Sequence, residues 1–198
     1  MALTSSIQPL IDYFQARLPL SEYDQSLLGK VLKAKRFLKG DHLLMAGDTA
    51  LAFWFCTKGW IRMYYSKGGN DRTTYFYTQG EFVSAYDSFI HQRPALMYFQ
   101  ALTDVEVLEI SSGAAEQLLS GSKTFEALAR IGMEEEMVVN QHIIASLLTQ
   151  TPEERYMALL EDQPSIFQTI PQHYIASFLG VQPESLSRIK RRAQQRRT

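Results

Sequence analysis

Between Arg36 and Ser111 the chain turns roughly every 8–12 residues, and a glycine stands at each turn: Gly40-Asp41, Gly47-Asp48, Lys58-Gly59, Gly68-Gly69-Asn70-Asp71 and Gly80-Glu81. Glycine takes positive φ without a steric penalty, which is what tight reversals demand. Between the turns lie Ala52-Phe53-Trp54-Phe55-Cys56, Trp60-Ile61-Arg62-Met63-Tyr64-Tyr65 and Thr73-Thr74-Tyr75-Phe76-Tyr77. Aromatic and β-branched residues of this kind suit a pleated, half-buried surface. The spacing therefore predicts a barrel or sandwich of short strands. Val105 to Ile110 reads as the last of them, with Val105, Val107 and Glu109 on one face and Glu106, Leu108 and Ile110 on the other. That alternation is imperfect, because both sets contain apolar residues.

The flanks read as helix. Ile7, Leu10, Ile11, Phe14 and Leu18 recur at helical spacing until Pro19, and Ser21 is placed to cap a second helix through Leu27, Leu28, Val31 and Leu32. After the strands, residues 113–150 are helical again, with Ser122 capping a long helix that runs to about Thr149. This helix carries two apolar stripes. One holds Phe125, Leu128, Gly132, Val139 and Ile143, and the other Met133, Met137, Ile144, Leu147 and Leu148, with Glu134-Glu135-Glu136 on the remaining face. A helix apolar on two sides is covered on two sides. One stripe is expected to dock on the strands and the other on a second copy of the chain. Thr151-Pro152-Glu153-Glu154 starts a further helix, with a capping hydroxyl, proline in the first turn and acids at the positive end of the dipole. Pro164 closes it. The expected class is α+β: N-terminal helices and an antiparallel β-roll (1–121), a long dimerisation helix (122–150) and a helical C-terminal domain (151–198).

Composition limits the function classes. Cys56 is the one cysteine, so an intramolecular disulfide is impossible and a thiolate-held iron–sulfur cluster is disfavoured. No apolar run approaches the ~20 residues of a membrane helix, and Met1 to Leu10 lacks the basic and apolar regions of a secretion signal. A cytoplasmic location is expected. The net charge is −1, yet from Pro183 onward Glu184 faces Arg188, Lys190, Arg191, Arg192, Arg196 and Arg197, a net +5, which leaves −6 on the rest. A basic terminus on an acidic body is the footprint of a nucleic-acid binder, and also of a simple solvated tail.

Ile170 to Arg192, IPQHYIASFLGVQPESLSRIKRR, chooses between them. Tyr174, Ile175, Phe178 and Leu179 form the buried side of a short helix, Gly180 supplies a tight turn, and Val181 packs inside it. Pro183 opens a second helix that turns Leu186 and Ile189 inward. Helix, glycine turn and helix in this spacing make a helix-turn-helix, whose second helix enters the major groove of double-stranded DNA. The residues left outside are Gln182, Glu184, Ser185, Ser187, Arg188, Arg191 and Arg192, with Gln172 at the start of the first helix. Arg pairs bidentately with guanine, and Glu accepts from cytosine.

The order of these parts resembles the cyclic-AMP-receptor/fumarate-nitrate-regulator (Crp/Fnr) family over nearly the whole chain. The turns from Gly40 to Glu81 match its cyclic-nucleotide-binding β-roll, and residues 170–192 match its helix-turn-helix. The resemblance implies a homodimer joined by the long helix, two-fold-related DNA half-sites, RNA polymerase as a candidate partner, and a small-molecule effector in the β-roll. It also implies base reading by an Arg-Glu pair and by an Arg one turn later. Glu184 and Arg188 are kept, but Pro183 stands where the first Arg is usual, which points to a different operator.

The resemblance further implies effector contacts at Gly80, Glu81 and Phe82, where a Gly-Glu turn opens a short helix. The arginine that neutralises a bound phosphate falls near Ala95, however, with Arg93 two residues away and followed by Pro94. A buried phosphate without a cation is strongly disfavoured. Cyclic nucleotide is therefore disfavoured as the ligand, and no cofactor is assigned. His42, His91, His142 and His173 lack metal-ligand spacing. A buried inert thiol is the expectation for Cys56. The aromatic residues are expected to line the roll or to fill it. The alternative to a DNA-binding regulator is a β-roll ligand-binding or cupin-like enzyme module whose C-terminal helices make protein contacts.

Overall fold

The computed structural model describes residues 2–195, with side chains from 7 to 193. The helices α1 (Ala2–Gln15) and α2 (Glu22–Val31) lead into strands β1 (Lys33–Phe37), β2 (His42–Leu44), β3 (Ala52–Lys58), β4 (Ile61–Lys67), β5 (Asn70–Tyr77) and β6 (Phe82–Val83). Then come α3 (Tyr86–His91), β7 (Tyr98–Ala101), β8 (Val105–Ser111), α4 (Ser112–Gly121) and α5 (Lys123–Thr149). The chain continues with α6 (Pro152–Asp162), α7 (Ile166–Thr169), α8 (Gln172–Leu179) and α9 (Pro183–Gln195). The expected α+β class and element order hold. The short helix expected to open at Gly80-Glu81 begins only at Tyr86, after the two-residue strand β6, and α7 had no reading in the sequence.

The strands form two four-stranded sheets, ordered β1-β8-β3-β6 and β2-β7-β4-β5. β8 is central in the first, antiparallel to β1 (Ala34 opposite Leu108) and to β3 (Phe55 opposite Leu108). A strand paired on both sides and packed on both faces needs apolar residues on both, so the imperfect alternation of 105–110 is the mark of a central strand. Leu108 and Ile110 face the helices, while Val105 and Val107 are buried as well. Edge strand β1 is mostly exposed and carries Lys33, Lys35 and Arg36, charges that discourage pairing with another sheet.

The turn glycines behave as expected: Gly40, Gly47, Gly59, Gly68, Gly69 and Gly80 all have positive φ. Gly59 is the most constrained, because a Cβ there would lie 2.4 Å from the carbonyl oxygen of Asp104.

By compactness the chain divides into two units. One comprises the residues up to Met63 with Phe76–Glu134, and the other Tyr64–Tyr75 with Glu135 onward. The division falls inside α5 and takes the β4–β5 hairpin tip with the C-terminal helices, whereas the sequence boundaries at 121/122 and 150/151 follow helix ends.

In the first unit, Ile7, Leu10, Ile11 and Phe14 of α1 and Leu28 of α2 pack with Phe55, Leu108, Leu118, Phe125 and Leu128. Ser21 and Asp24 form a reciprocal capping box at α2. Burial pushes the Asp24 carboxyl up, but hydrogen bonds from the Ser122 and Ser21 hydroxyls outweigh it and hold the group below its ordinary value. The same Ser122 accepts from the backbone N–H of Thr124 at 3.2 Å, so it caps α5 as expected. The docked stripe of α5 is shorter than expected. Phe125 and Leu128 are buried, but Val139 and the whole second stripe are exposed in the single chain.

Candidate functional site

The second unit builds its C-terminal end on the four helices α6 to α9. Thr151 and Glu154 cap α6 reciprocally, the Thr151 N–H donating to Glu154 Oε2 at 2.7 Å and the Glu154 N–H to Thr151 Oγ1 at 3.3 Å. Tyr156 and Leu159 of α6, Ile166, Ile170, then Ile175, Ala176 and Leu179 of α8 make the small core. Tyr174 and Phe178, expected to be buried, are only half-buried. Ala176 takes the interior place, since 175, 176 and 179 lie on one side of so short a helix. Val181 is likewise half-buried.

Gly180 ends α8 in the left-handed region, with φ 71° and ψ 29°. The N–H of Val181 reaches back to the Ala176 carbonyl at 3.0 Å, the closing bond of a Schellman turn. The Arg155 guanidinium donates to the carbonyls of Leu179 and Gln150. It thus neutralises the negative end of α8 and ties the turn to α6.

Leu186, Ile189 and Ala193 form the buried spine of α9. At about 100° per residue, Glu184, Arg188 and Arg191 fall on the opposite side, and all three are exposed. Ser187 and Gln182 are exposed beside them, as is Gln172 in the first turn of α8. Ser185 is half-buried, and its hydroxyl accepts from Arg188 Nη2 at 3.3 Å. Arg192, expected among the DNA-binding residues, is exposed. It lies on the flank facing α6, with Nη1 3.8 Å from Glu153 Oε2. Arg196 and Arg197 lie outside the described residues.

The candidate effector residues each make contacts of their own within the fold. Glu81 closes its own turn, its carboxylate accepting from the Thr78 N–H at 2.6 Å. Gly80 donates its N–H to the Cys56 carbonyl at 2.9 Å. Phe82 belongs to the core, with ring centroids 5.3 Å from Tyr13 and 5.1 Å from Phe55. Arg93 is held on the surface by Asp87, Nε donating to Oδ2 at 2.7 Å. The pair holds the Asp87 carboxyl below its ordinary value, chiefly through Arg93 and further through His91. Ala95 is 4% exposed, and its backbone is tied to the Gly47–Asp48 turn by bonds of 2.9 and 2.8 Å. The polar signal at the roll that sequence reasoning missed is Ser88, whose hydroxyl accepts from the Ala50 N–H at 2.9 Å and donates to the Arg93 carbonyl.

Between the sheets, Phe99 is fully buried, with its ring centroid 6.5 Å from Trp54 and 5.9 Å from Tyr77. These aromatic side chains pack against one another between the sheets. Cys56 is wholly buried, and desolvation pushes its thiol up to about 12. Among the described residues, no cluster of three metal-ligating side chains occurs, and no helix is long and apolar enough to cross a membrane.

Residues 34–122 match the family model of the cyclic nucleotide-binding domain. FixK2 from Bradyrhizobium japonicum shares the fold with a TM-score of 0.71 at 14% identity, over 84% of this chain and 86% of that one. A transcriptional regulator of the Crp/Fnr family from Eubacterium rectale aligns at 0.69 and 18% identity, over 93% and 88% of the two chains. The c-di-GMP-responsive regulator CLP of Xanthomonas campestris aligns at 0.66 and 16%, over 87% and 91%. No curated protein matches the sequence. Residues 34–122 thus match the cyclic nucleotide-binding domain model, and the chain has a fold similar to that of the Crp/Fnr transcriptional regulators.

Proposed function

We propose that the chain is a DNA-binding transcriptional regulator that acts as a homodimer and reads duplex DNA with α9. The observation that carries this is the strip Glu184, Arg188 and Arg191, exposed along the side of α9 opposite Leu186, Ile189 and Ala193. A carboxylate and two guanidiniums one and two turns apart are the groups that recognise base edges and phosphates in a major groove. Gln172 and Gln182 flank the strip, where backbone phosphates pass the two helix starts.

In this reading the roll is a sensor that does not take cyclic AMP. Arg93 is engaged with Asp87, Ala95 brings no cation, and Trp54, Tyr77 and Phe99 fill the interior. The regulator CLP, by its name, responds to a different nucleotide, c-di-GMP. The domains are the sensor of residues 1–121, the dimerisation helix of 122–150 and the reader of 151–198.

The test is selection from a random duplex library with the full chain. The expected result is a two-fold-related pair of half-sites whose centres lie about 10 base pairs, or a multiple of that, apart. Recovery of no sequence, with retention on duplex DNA indifferent to salt, overturns the reading.

A further inference from the structure

The hairpin of β4 and β5 reverses at Gly68 and Gly69, and its tip lies in the same compact unit as α8. Ser177 is on the side of α8 turned away from Ile175, Ala176 and Leu179. Its hydroxyl accepts from the backbone N–H of Thr73 at 3.0 Å and donates to the carbonyl of Asp71 at 2.9 Å. One side chain therefore grips the hairpin backbone at two points. The contact buries Thr73 to 4% exposure, although Asp71 and Arg72 just before it are exposed. Thr73 Oγ1 is buried there without a hydrogen-bond partner.

We propose that this contact is a latch, Ser177 on the hairpin, that holds the helix-turn-helix in its DNA-reading orientation. The idea rests on the DNA-binding reading above. Three observations give it direction. The latch leaves Glu184, Arg188 and Arg191 exposed, so it does not act by covering the reading surface. α8 shares its buried side with the spine of α9, so fixing α8 fixes α9, and a pre-oriented helix loses less freedom on docking. The orphaned Thr73 hydroxyl works against closure, which keeps the contact weak enough to open.

Ser177→Ala deletes both bonds and leaves a good helix former in α8. Thr73→Val keeps the shape and removes the orphaned hydroxyl. The full chain and both variants are compared by amide exchange at Thr73 and by titration of a labelled duplex selected with the unaltered chain. Ser177→Ala is expected to speed exchange at Thr73 and to weaken duplex binding, each by about tenfold, the size of one net hydrogen bond. Thr73→Val is expected to shift both in the opposite sense. Unchanged protection at Thr73 in Ser177→Ala shows that the hydroxyl does not hold the hairpin. Lost protection with unchanged or tighter DNA binding shows that the latch does not favour reading. Either result overturns the proposal. Failure of the unaltered chain to bind any duplex overturns the DNA reading itself, and is seen before any variant is made.

Discussion

Arg188 and Arg192 stand one turn apart on α9 and face different neighbours. Arg188 lies opposite the buried spine, touching only Ser185 among the contacts described, whereas Arg192 leans on Glu153 of α6. Arg188→Ala should cost about 1–3 kcal/mol on the selected duplex and relax preference at one base pair. Arg192→Ala should leave base preference intact. It should lower stability by less than about 1 kcal/mol, the usual worth of an exposed ion pair. Parallel titrations of selected and scrambled duplexes check both, and equal losses on the two duplexes would make Arg188 a phosphate contact.

Cys56 offers a pH test at the same scale. Its folded thiol is pushed up to about 12 by burial, above the ordinary value near 8.5. A group protonated more tightly in the folded state stabilises the fold below the unfolded pKa. That contribution is lost as pH rises from the unfolded value through the folded one. Denaturant midpoints should therefore fall between about pH 8.5 and the folded pKa in the natural chain, and should fall less in Cys56→Ala. A thiol reagent at neutral pH should label only the unfolded chain.

At the scale of elements, α5 has the most to gain from a partner. Met137, Val138, Ile144, Leu147 and Leu148 are half or more exposed, and Val139 stands beside them at 37%. Val139→Glu should shift the protein toward monomer in light scattering at micromolar concentration, because a carboxylate buried between two helices is costly. An unchanged mass would remove α5 as the joining surface. Elements with strong local chemistry were legible in the sequence. The capping residues Ser21, Ser122 and Thr151, the glycine turns and the helix-turn-helix all stand where local rules place them. What local rules could not show was which side chains are used up by neighbours distant in sequence. Phe82 faces α1, Arg192 faces α6, and Ser177 meets a hairpin 104 residues away. Arg93 was harder for another reason: its partner Asp87 lies on α3, a six-residue helix too short to show a period.

For the whole molecule, the family match and the site disagree in an informative way. Residues 34–122 match the cyclic nucleotide-binding domain model, yet Arg93 is paired with Asp87 and the Glu81 carboxylate with the Thr78 N–H. Calorimetry with cyclic AMP should show no binding tighter than about a micromolar Kd, near −8 kcal/mol. Tighter binding would show that Arg93 leaves Asp87 for the ligand. The aromatic filling of the roll has a practical consequence. The chain has two tryptophans, Trp54 and Trp60, and both are buried in the first unit, with Trp54 Nε1 donating to Glu109 Oε2 at 3.3 Å. Indole emission therefore reports on the roll and is silent about α6 to α9. A ligand that enters between the sheets must perturb that emission, while a duplex seated on α9 leaves it unchanged unless binding at one end is felt at the other. One cuvette thus distinguishes an isolated reader from a coupled one, with no label added.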